Sequence, residues 1–370
     1  MGTEKNERIS PRSHLRSIQR TPMERVDRKG FLRLDKNEGI PGIPREAIAE
    51  ILSRVTPDDI SSYPQVFPLY ERLARNLSLT EDHILVTAGS DAAIKNVFEV
   101  FVRPGDRVVI PDPTYAMYEI YAGLFQAKLT RVPFDTDLSL PPHRILDALT
   151  PQARLLALPN PNSPTGTVIP EPDLMRLIRH AGELGVLVLI DEAYYPYYPE
   201  TAVKWVQTCP NLIVTRTFSK AFGLAGLRVG YAVGDPEIME SLRKFRPIYE
   251  TNGPAVAFAS YLLDHPAILQ ENLRQVRVGK EYLGRAAGEA GLFACPTHAN
   301  FMNIRVGAPA VAPLVDFLKG EGILVKAGHD HPALRDCVRI TLGDVAEMER
   351  VMGKIREYLR DHAGGASGLG

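Results

Sequence analysis

Two segments of the sequence carry the glycine, hydroxyl and cationic residues that suit a phosphate group. The first, residues 89–91 (Gly-Ser-Asp), follows an apolar run and begins a helix-like segment, whose free backbone N–H groups attract an anion. The second contains Thr217 and Ser219 and is followed by Arg228, whose guanidinium binds phosphate oxygens in pairs. The first segment alone is equally an ordinary glycine turn with a helix N-cap.

Lys220 directly follows Ser219 in the second of these segments. Neighbouring cations lower the pKa of a lysine and make its neutral amine available as a nucleophile. The alternative for a single loop lysine is an exposed and solvated charge. The segment therefore indicates an amine nucleophile beside a phosphate-binding site, with that simpler alternative open.

Four further polar or aromatic residues follow other apolar runs. Asp191 comes directly after Val186–Ile190, where a buried carboxylate needs a cation such as a protonated ring nitrogen. Tyr194 can point its hydroxyl in the same direction, Asn162 offers amide donors from a rigid proline-rich loop, and Tyr115 can stack on a flat ligand. Taken singly, these residues are also explained by a helix N-cap, a rigid turn and packing on a sheet.

Alternating strand-like and helix-like segments connect these residues between positions 44 and 254. Continuous apolar, β-branched runs are typical of strands in a mostly parallel sheet that is covered on both faces. Helix-like patterns, such as Ala92–Val102 and Glu171–Glu183, lie between most of them. Because ligands of such sheets lie beyond the carboxyl ends of the strands, the polar segments are expected to meet there. The predicted strands are His83–Thr87, Arg107–Ile110, Ala153–Leu158, Val186–Ile190, Leu212–Thr215 and Val229–Val233.

The pattern changes after about residue 255, where a smaller α+β unit is predicted. Residues 255–290 are predicted to form one or two long helices, interrupted near Asp264-His265-Pro266. Strands Phe301–Arg305, Ile323–Lys326 and Val338–Leu342 and helices Ala312–Glu321 and Ala346–Asp361 follow. The predicted organisation is an N-terminal arm (1–29), a small domain (30–43 and 255–362), a large domain (44–254) and a disordered tail (363–370).

Composition excludes several classes of partner. A formal net charge of -1 argues against a nucleic-acid or acidic-membrane partner, and no apolar run approaches the ~20 residues of a membrane span. Cys209, Cys295 and Cys337 are far apart, which predicts neither a disulfide framework nor a zinc site and fits the cytoplasm. No metal is expected.

Together, the motifs resemble the class I and II aminotransferases of fold type I, which use pyridoxal phosphate, and in particular the histidinol-phosphate aminotransferase branch. The resemblance covers about residues 30–360 and rests on LDKNE, AGSDAAI, PDPTYAMY, NPNSPTG, DEAY, RTFSKAFGLAGLRVGY and VRITLG, in this order. It implies an α/β fold with a mostly parallel seven-stranded sheet and a smaller α+β domain. It also implies a homodimer with shared active sites, a small-molecule amino donor and a 2-oxo acid acceptor.

The resemblance also implies roles for individual residues. Lys220 would form the Schiff base with the cofactor and shuttle the proton, and Asp191 would pair with the pyridinium nitrogen. Tyr194 and Asn162 would bind the phenolic oxygen, and Tyr115 would stack on the ring. The residues expected at the cofactor phosphate are Gly89, Ser90, Asp91, Thr217, Ser219 and Arg228.

The substrate would be bound by a second set of residues, again by resemblance. Arg339 would bind the substrate carboxylate with help from Asn162, and Tyr63 would reach the cofactor phosphate of the neighbouring subunit. Residues expected around the substrate side chain are Asn37, Lys326, Met23, Tyr249 and Arg246.

Three positions depart from the pattern of this branch and leave its substrate open. Ser163 stands where the family has the asparagine before Pro-Thr-Gly, so either Asn162 or a neighbour contacts the phenolic oxygen. Lys326 replaces an arginine, and Met23 replaces a tyrosine. Two alternatives to transamination are a decarboxylase of the threonine-phosphate type, which would use the same cofactor loops, and a non-catalytic aminotransferase-like binding protein.

Overall fold

Two separate β-sheets organise the chain in the computed structural model, which describes residues 10–20, 27–40 and 42–362. The predicted disordered tail, 363–370, and Met23 lie outside the described residues. Within the described part, no helix is both long and apolar enough to cross a membrane.

The larger sheet has seven strands, and six of them run in the same direction. Its strand order is β2-β8-β7-β6-β5-β3-β4, and only β8 is antiparallel to its neighbours. The strands are β2 (Ile84–Thr87), β3 (Arg107–Asp112), β4 (Lys128–Pro133), β5 (Ala153–Pro159), β6 (Leu187–Asp191), β7 (Leu212–Thr217) and β8 (Gly230–Gly234). This confirms the predicted α/β fold with a mostly parallel seven-stranded sheet.

Helices cover both faces of this sheet, because alternate strand residues are apolar on both sides. Leu156, Val188 and Val214 pack on one face, and Leu155, Leu189 and Ile213 pack on the other; all six are buried. The helices of this part are α1 (Arg45–Arg54), α2 (Pro57–Ser61), α3 (Phe67–Leu77), α4 (Ser90–Phe101), α5 (Met117–Leu124), α6 (Pro142–Ala148), α7 (Glu171–Glu183), α8 (Pro236–Phe245) and α9 (Gly253–Asp264).

The smaller sheet has five strands and draws its edge strand from the beginning of the chain. Its order is β1-β11-β12-β10-β9, and β1 pairs in parallel with β11. The strands are β1 (Leu32–Leu34), β9 (Phe293–Ala294), β10 (Phe301–Arg305), β11 (Ile323–Ala327) and β12 (Cys337–Thr341). The helices are α10 (Pro266–Glu289), α11 (Ala308–Gly320) and α12 (Val345–His362), and they share one apolar core with this sheet.

The predicted elements agree with the observed ones to within a few residues at most ends. Helix Glu171–Glu183 and strand Phe301–Arg305 have the predicted bounds. The predicted interruption at Asp264-His265-Pro266 is the junction of α9 and α10. The division into two domains stays a prediction, although each sheet has a core cluster of its own.

Candidate active site

A cavity of about 270 Å³ opens beyond the carboxyl ends of β5, β6 and β7. Eleven of the residues predicted to act at the site line it together. They are Asn37, Ser90, Asp91, Tyr115, Asp191, Tyr194, Thr217, Ser219, Lys220, Arg228 and Arg339. Parallel strands end at one edge of a sheet, so segments distant in the sequence converge in this one place.

The Lys220 side chain reaches into this cavity from the segment after β7. Its ammonium donates a hydrogen bond to the backbone carbonyl of Lys36 at 2.9 Å. Burial, reinforced by the positive charges of Arg339 and Arg228, lowers the pKa of Lys220 to about 8. A substantial share of the amine is therefore neutral near physiological pH, which is the form that attacks an aldehyde.

Asp191 lies at the end of β6, and only 4% of the residue is exposed. Its Oδ1 accepts a hydrogen bond from the Thr215 hydroxyl at 3.0 Å, and its Oδ2 accepts one from the Tyr118 hydroxyl at 3.4 Å. Burial raises the pKa of Asp191 to about 7, although these donors act in the opposite direction. A carboxylate this deeply buried is stabilised when a cation faces it.

A group of donors suited to phosphate lies at the start of α4 and around Arg228. Arg228 donates from Nη1 to the Ser219 hydroxyl at 3.2 Å, and the Ser219 amide donates to the Thr217 hydroxyl at 3.1 Å. Gly89 does not line the cavity, but its φ of +84° turns the chain into α4, and a Cβ there would lie 2.7 Å from Arg228 Nη2. The helix N-terminus and the guanidinium thus approach each other closely.

Tyr115 and Tyr194 supply the aromatic part of the lining. The Tyr115 hydroxyl donates to Asp91 at 3.3 Å, and burial raises its pKa well above the usual value. The Tyr194 hydroxyl accepts a hydrogen bond from the Asn37 side-chain amide at 2.9 Å. Burial raises the pKa of Tyr194 as well, so its hydroxyl keeps its proton and can donate it to a ligand oxygen.

Arg339, on β12, brings a cation from the smaller sheet to the cavity. Its Nη2 donates to the backbone carbonyl of Asp35 at 3.1 Å, while its buried Nε has no hydrogen-bond partner among the described residues. Burial also lowers the pKa of this guanidinium. An anionic ligand in the cavity would satisfy the unpaired donor and offset the cost of burying the charge.

Asn162 is not brought to the cavity, contrary to the prediction. Its amide nitrogen donates to the Pro113 carbonyl and the Thr165 hydroxyl, and its oxygen accepts from the Thr114 hydroxyl, at 2.9–3.0 Å. These bonds hold the proline-rich loop together, and Asn162 lines a different cavity. Ser163, the next residue, lines the cavity instead.

Other predicted residues also lie away from the cavity. Lys326 is exposed on β11 and does not line the cavity, although it pairs directly with Arg339 across the ladder. Tyr249 and Arg246 line a different cavity, which also includes Tyr63. Of the predicted side-chain pocket within the described residues, only Asn37 reaches the cavity.

Sequence reasoning missed several residues that support the site. Tyr118 and Thr215 bind Asp191 from behind, and Ser163 and Lys36 belong to the lining. Tyr118 lies in the first turn of α5, whereas Tyr115 precedes that helix, so helical spacing gave no signal for Tyr118. Thr215 could not be distinguished from any other strand residue.

A buried ion pair joins the two strands that carry Asp191 and Lys220. Arg216 lies 2.9 Å from the Glu192 carboxylate, with side-chain exposures of 5% and 2%. The guanidinium also lies 3.4 Å from the centre of the Tyr195 ring. Glu192 follows Asp191 directly, so this pair fixes the ends of β6 and β7 relative to each other.

Comparisons with known proteins agree with this geometry. Residues 44–355 match the family described as aminotransferase class I and II. The histidinol-phosphate aminotransferase of Symbiobacterium thermophilum is 35% identical, over 91% of this chain and 94% of that protein. The one from Sinorhizobium fredii is 30% identical, over 92% of each chain.

A solved structure extends the similarity to the whole fold. The crystal structure of histidinol-phosphate aminotransferase from Sinorhizobium meliloti in complex with pyridoxal-5'-phosphate superposes with a TM-score of 0.86. It is 26% identical and covers 97% of this chain and 100% of that one. The chain therefore belongs to the class I and II aminotransferases, the fold-type I enzymes that use pyridoxal phosphate, as its motifs predicted.

Proposed function

We propose that this aminotransferase moves the amino group of histidinol phosphate, or a closely similar phosphorylated amine, to a 2-oxo acid. The observation that carries the proposal is a single cavity containing a lysine of lowered pKa, a buried carboxylate and an arginine with an unpaired donor, namely Lys220, Asp191 and Arg339. The two relatives and the superposed structure named above are histidinol-phosphate aminotransferases.

The residues present fit pyridoxal phosphate. Arg228, Ser219 and the N-terminus of α4 offer donors to its phosphate, and Asp191 offers a buried carboxylate to its ring nitrogen. Lys220 offers an amine to its aldehyde. Once bound, the cofactor supplies the carbonyl that takes up the amino group and a ring that stores the electron pair.

The residues of the chain itself position the substrate and move the proton. Lys220, when neutral, removes the proton from the amine-bearing carbon of the substrate. It would then deliver a proton to the former aldehyde carbon of the cofactor. Arg339 meets the anionic end of both substrates, which is a phosphate in the amino donor and a carboxylate in the acceptor. Asp191 is almost completely buried, so water has little access to the part of the cavity that would hold the ring nitrogen.

A half-reaction experiment tests the proposed substrate. Purified enzyme with its cofactor is mixed with histidinol phosphate, with histidinol and with aspartate, while the visible absorbance of the cofactor is followed. We expect rapid conversion to the amino form with histidinol phosphate, slow conversion with histidinol, and recovery of the spectrum on adding a 2-oxo acid. Rapid conversion by aspartate alone would refute the proposed donor.

The same purified enzyme separates transamination from the decarboxylase and binding-protein alternatives. A decarboxylase would release carbon dioxide from phosphothreonine, and a binding protein would convert none of the amines. We expect stoichiometric formation of the carbonyl product without gas release, since the matched family and the relatives named above are aminotransferases.

A homodimer in the cytoplasm is part of this proposal. Tyr63 is 72% exposed and stacks on Tyr249 with ring centroids 4.0 Å apart, next to exposed Phe67 and Ile248. A contiguous exposed apolar surface of this kind suits a partner subunit, and it would let Tyr63 reach the neighbouring cavity. Sedimentation of wild type and of Ile248→Asp tests the dimer. Equal masses for both, at twice the mass of the chain, would contradict the proposed surface.

The proposed cytoplasmic location is supported by the three cysteines, which are buried and free, as expected in a reducing compartment.

A further inference from the structure

The Asp191 carboxylate is held from behind by one side-chain donor on each oxygen. Thr215, on the neighbouring strand β7, binds Oδ1, and Tyr118, in the first turn of α5, binds Oδ2. Tyr118 does not line the cavity and has no exposed surface. Besides its hydrogen bond to Asp191, it meets the edge of the Tyr115 ring, with ring centroids 6.0 Å apart.

The position of the Tyr118 hydroxyl is not explained by packing alone. The ring fills the apolar layer beside Phe98, where a phenylalanine would serve equally well. Burying a phenolic hydroxyl costs free energy unless it is hydrogen-bonded. Among the described residues, the only hydrogen-bond partner of this hydroxyl is Asp191 Oδ2. The Tyr118 hydroxyl therefore donates its hydrogen bond to the Asp191 carboxylate.

We propose that Tyr118 is a positioning residue that directs the Asp191 carboxylate toward the ring nitrogen of the cofactor. This inference rests on the proposed function, because it assumes that the cofactor ring occupies the cavity in front of Asp191. Two donors at fixed positions remove the rotational freedom of the carboxylate, since each oxygen already has a partner outside the cavity. The lone pairs that remain then face the ligand.

The surroundings of Asp191 give the direction of the expected effect. Burial and the negative charge of Asp91 raise its pKa, whereas the Thr215 hydroxyl, the Tyr118 hydroxyl and the Ala193 backbone amide lower it. Removing the Tyr118 hydroxyl therefore raises the pKa of Asp191 above its present value of about 7. The titratable and hydrogen-bonding groups that face it are Asp91, Tyr115, Tyr118, Tyr194, Thr215 and Lys220.

The test measures cofactor binding rather than turnover. In a Lys220→Ala background, pyridoxal phosphate binds without a covalent bond, so the titration of Lys220 no longer contributes. Dissociation constants are measured by fluorescence quenching across the pH range for Lys220→Ala alone and combined with Tyr118→Phe. Affinity should fall as the pH drops through the pKa of Asp191, because only the ionised carboxylate pairs with a protonated ring nitrogen. The protons of the free cofactor titrate identically in every variant and cancel in the comparison.

We expect the midpoint of this pH dependence to move upward by about one pH unit in Tyr118→Phe, which is roughly a tenfold change in proton affinity. Tyr121→Phe is the matched control, since it removes a buried hydroxyl of the same helix that contacts the Asp91 backbone instead. Tyr118→His, which keeps a ring donor, should move the midpoint back toward that of Lys220→Ala. It also serves as the informative variant if the phenylalanine variant does not fold.

The outcomes separate this inference from the proposed function. Equal midpoints in Lys220→Ala with and without Tyr118→Phe would overturn the role of Tyr118, and so would an equal shift in Tyr121→Phe. If Lys220→Ala bound no pyridoxal phosphate at any pH and wild type showed no visible absorbance with it, the cofactor assignment itself would fail.

Discussion

The buried pair of Arg216 and Glu192 offers the sharpest test of how this site is held. The prediction concerns the free energy of unfolding of three variants, which are Arg216→Met, Glu192→Gln and the combination of both. Arg216 also donates to the Thr201 hydroxyl at 2.6 Å, and the Ala202 amide donates to Glu192 at 2.6 Å. Each single substitution leaves the other partner desolvated without its counter-charge.

The magnitude follows from the low exposure of both side chains, 5% and 2%. Removing one member of a buried ion pair costs about 3–5 kcal/mol, because the remaining charge stays uncompensated. The double substitution should cost less than the sum of the two single ones, since it leaves no charge behind. Its remaining cost, about 1–2 kcal/mol, reflects the hydrogen bonds lost by Thr201 and Ala202.

The assay is chemical denaturation of the cofactor-free protein at one fixed protein concentration, with the free energy of unfolding taken from midpoint and slope. The matched control is the exposed pair of Arg274 and Glu271, which is 2.6 Å apart with side-chain exposures of 55% and 48%. Breaking that pair should cost far less, because solvent screens both charges. If Arg216→Met destabilises the protein no more than Arg274→Met does, burial does not control the strength of this pair and the reasoning is wrong.

Three further outcomes test the site directly. The rate at which cofactor-free enzyme reacts with pyridoxal phosphate should rise with pH through about 8, because Lys220 becomes neutral above its lowered pKa; a stopped-flow absorbance profile that is flat in this range would contradict it. Gly89→Ala should weaken cofactor binding at least tenfold in a fluorescence titration, because its Cβ would lie 2.7 Å from Arg228 Nη2. The control is Gly105→Ala, since Gly105 has a φ of +91° and no neighbour within 4 Å of an added Cβ. This control should destabilise folding without affecting cofactor binding. Arg339→Gln should keep the visible spectrum but lose about 2 kcal/mol or more of binding free energy for the 2-oxo acid, measured as a rise in KM.

Much of the larger sheet could be predicted because its inner strands are continuous apolar runs. β5, β6 and β7 are buried on both faces, and that composition leaves few alternatives to a parallel sheet with covering helices. β4, by contrast, was missed. It lies at the edge of the sheet and includes exposed charged residues such as Lys128 and Arg131, so it lacks a continuous apolar signal.

The candidate site could be predicted where a residue follows a strand directly, and less well elsewhere. Asp191 and Lys220 were found because their positions after β6 and β7 place them at the ligand edge. Asn162 and Ser163 are adjacent, and their difference lies only in which side chain the proline-rich loop turns inward. That choice depends on hydrogen bonds to Pro113 and Thr165, which no local pattern reveals.

Lys326 shows the same difficulty for a strand of the smaller sheet. Its partner across the ladder, Arg339, lines the cavity, whereas Lys326 is exposed. Residues directly opposite each other in an antiparallel pair lie on the same face of the sheet, so register alone does not separate the two. Arg339 lies in the middle of β12, whereas Lys326 lies near the end of β11, and a motif alone could not reveal this difference.

The pairing of β1 with β11 has a consequence for how the enzyme matures during synthesis. Asn37 and the Lys36 carbonyl follow β1 directly, while Arg339 lies on β12, near the other end of the chain. The lysine and the phosphate-binding loops leave the ribosome well before the strands that complete the cavity wall. The substrate pocket therefore closes only when the last strands are released and β1 pairs with β11 at the edge of the smaller sheet.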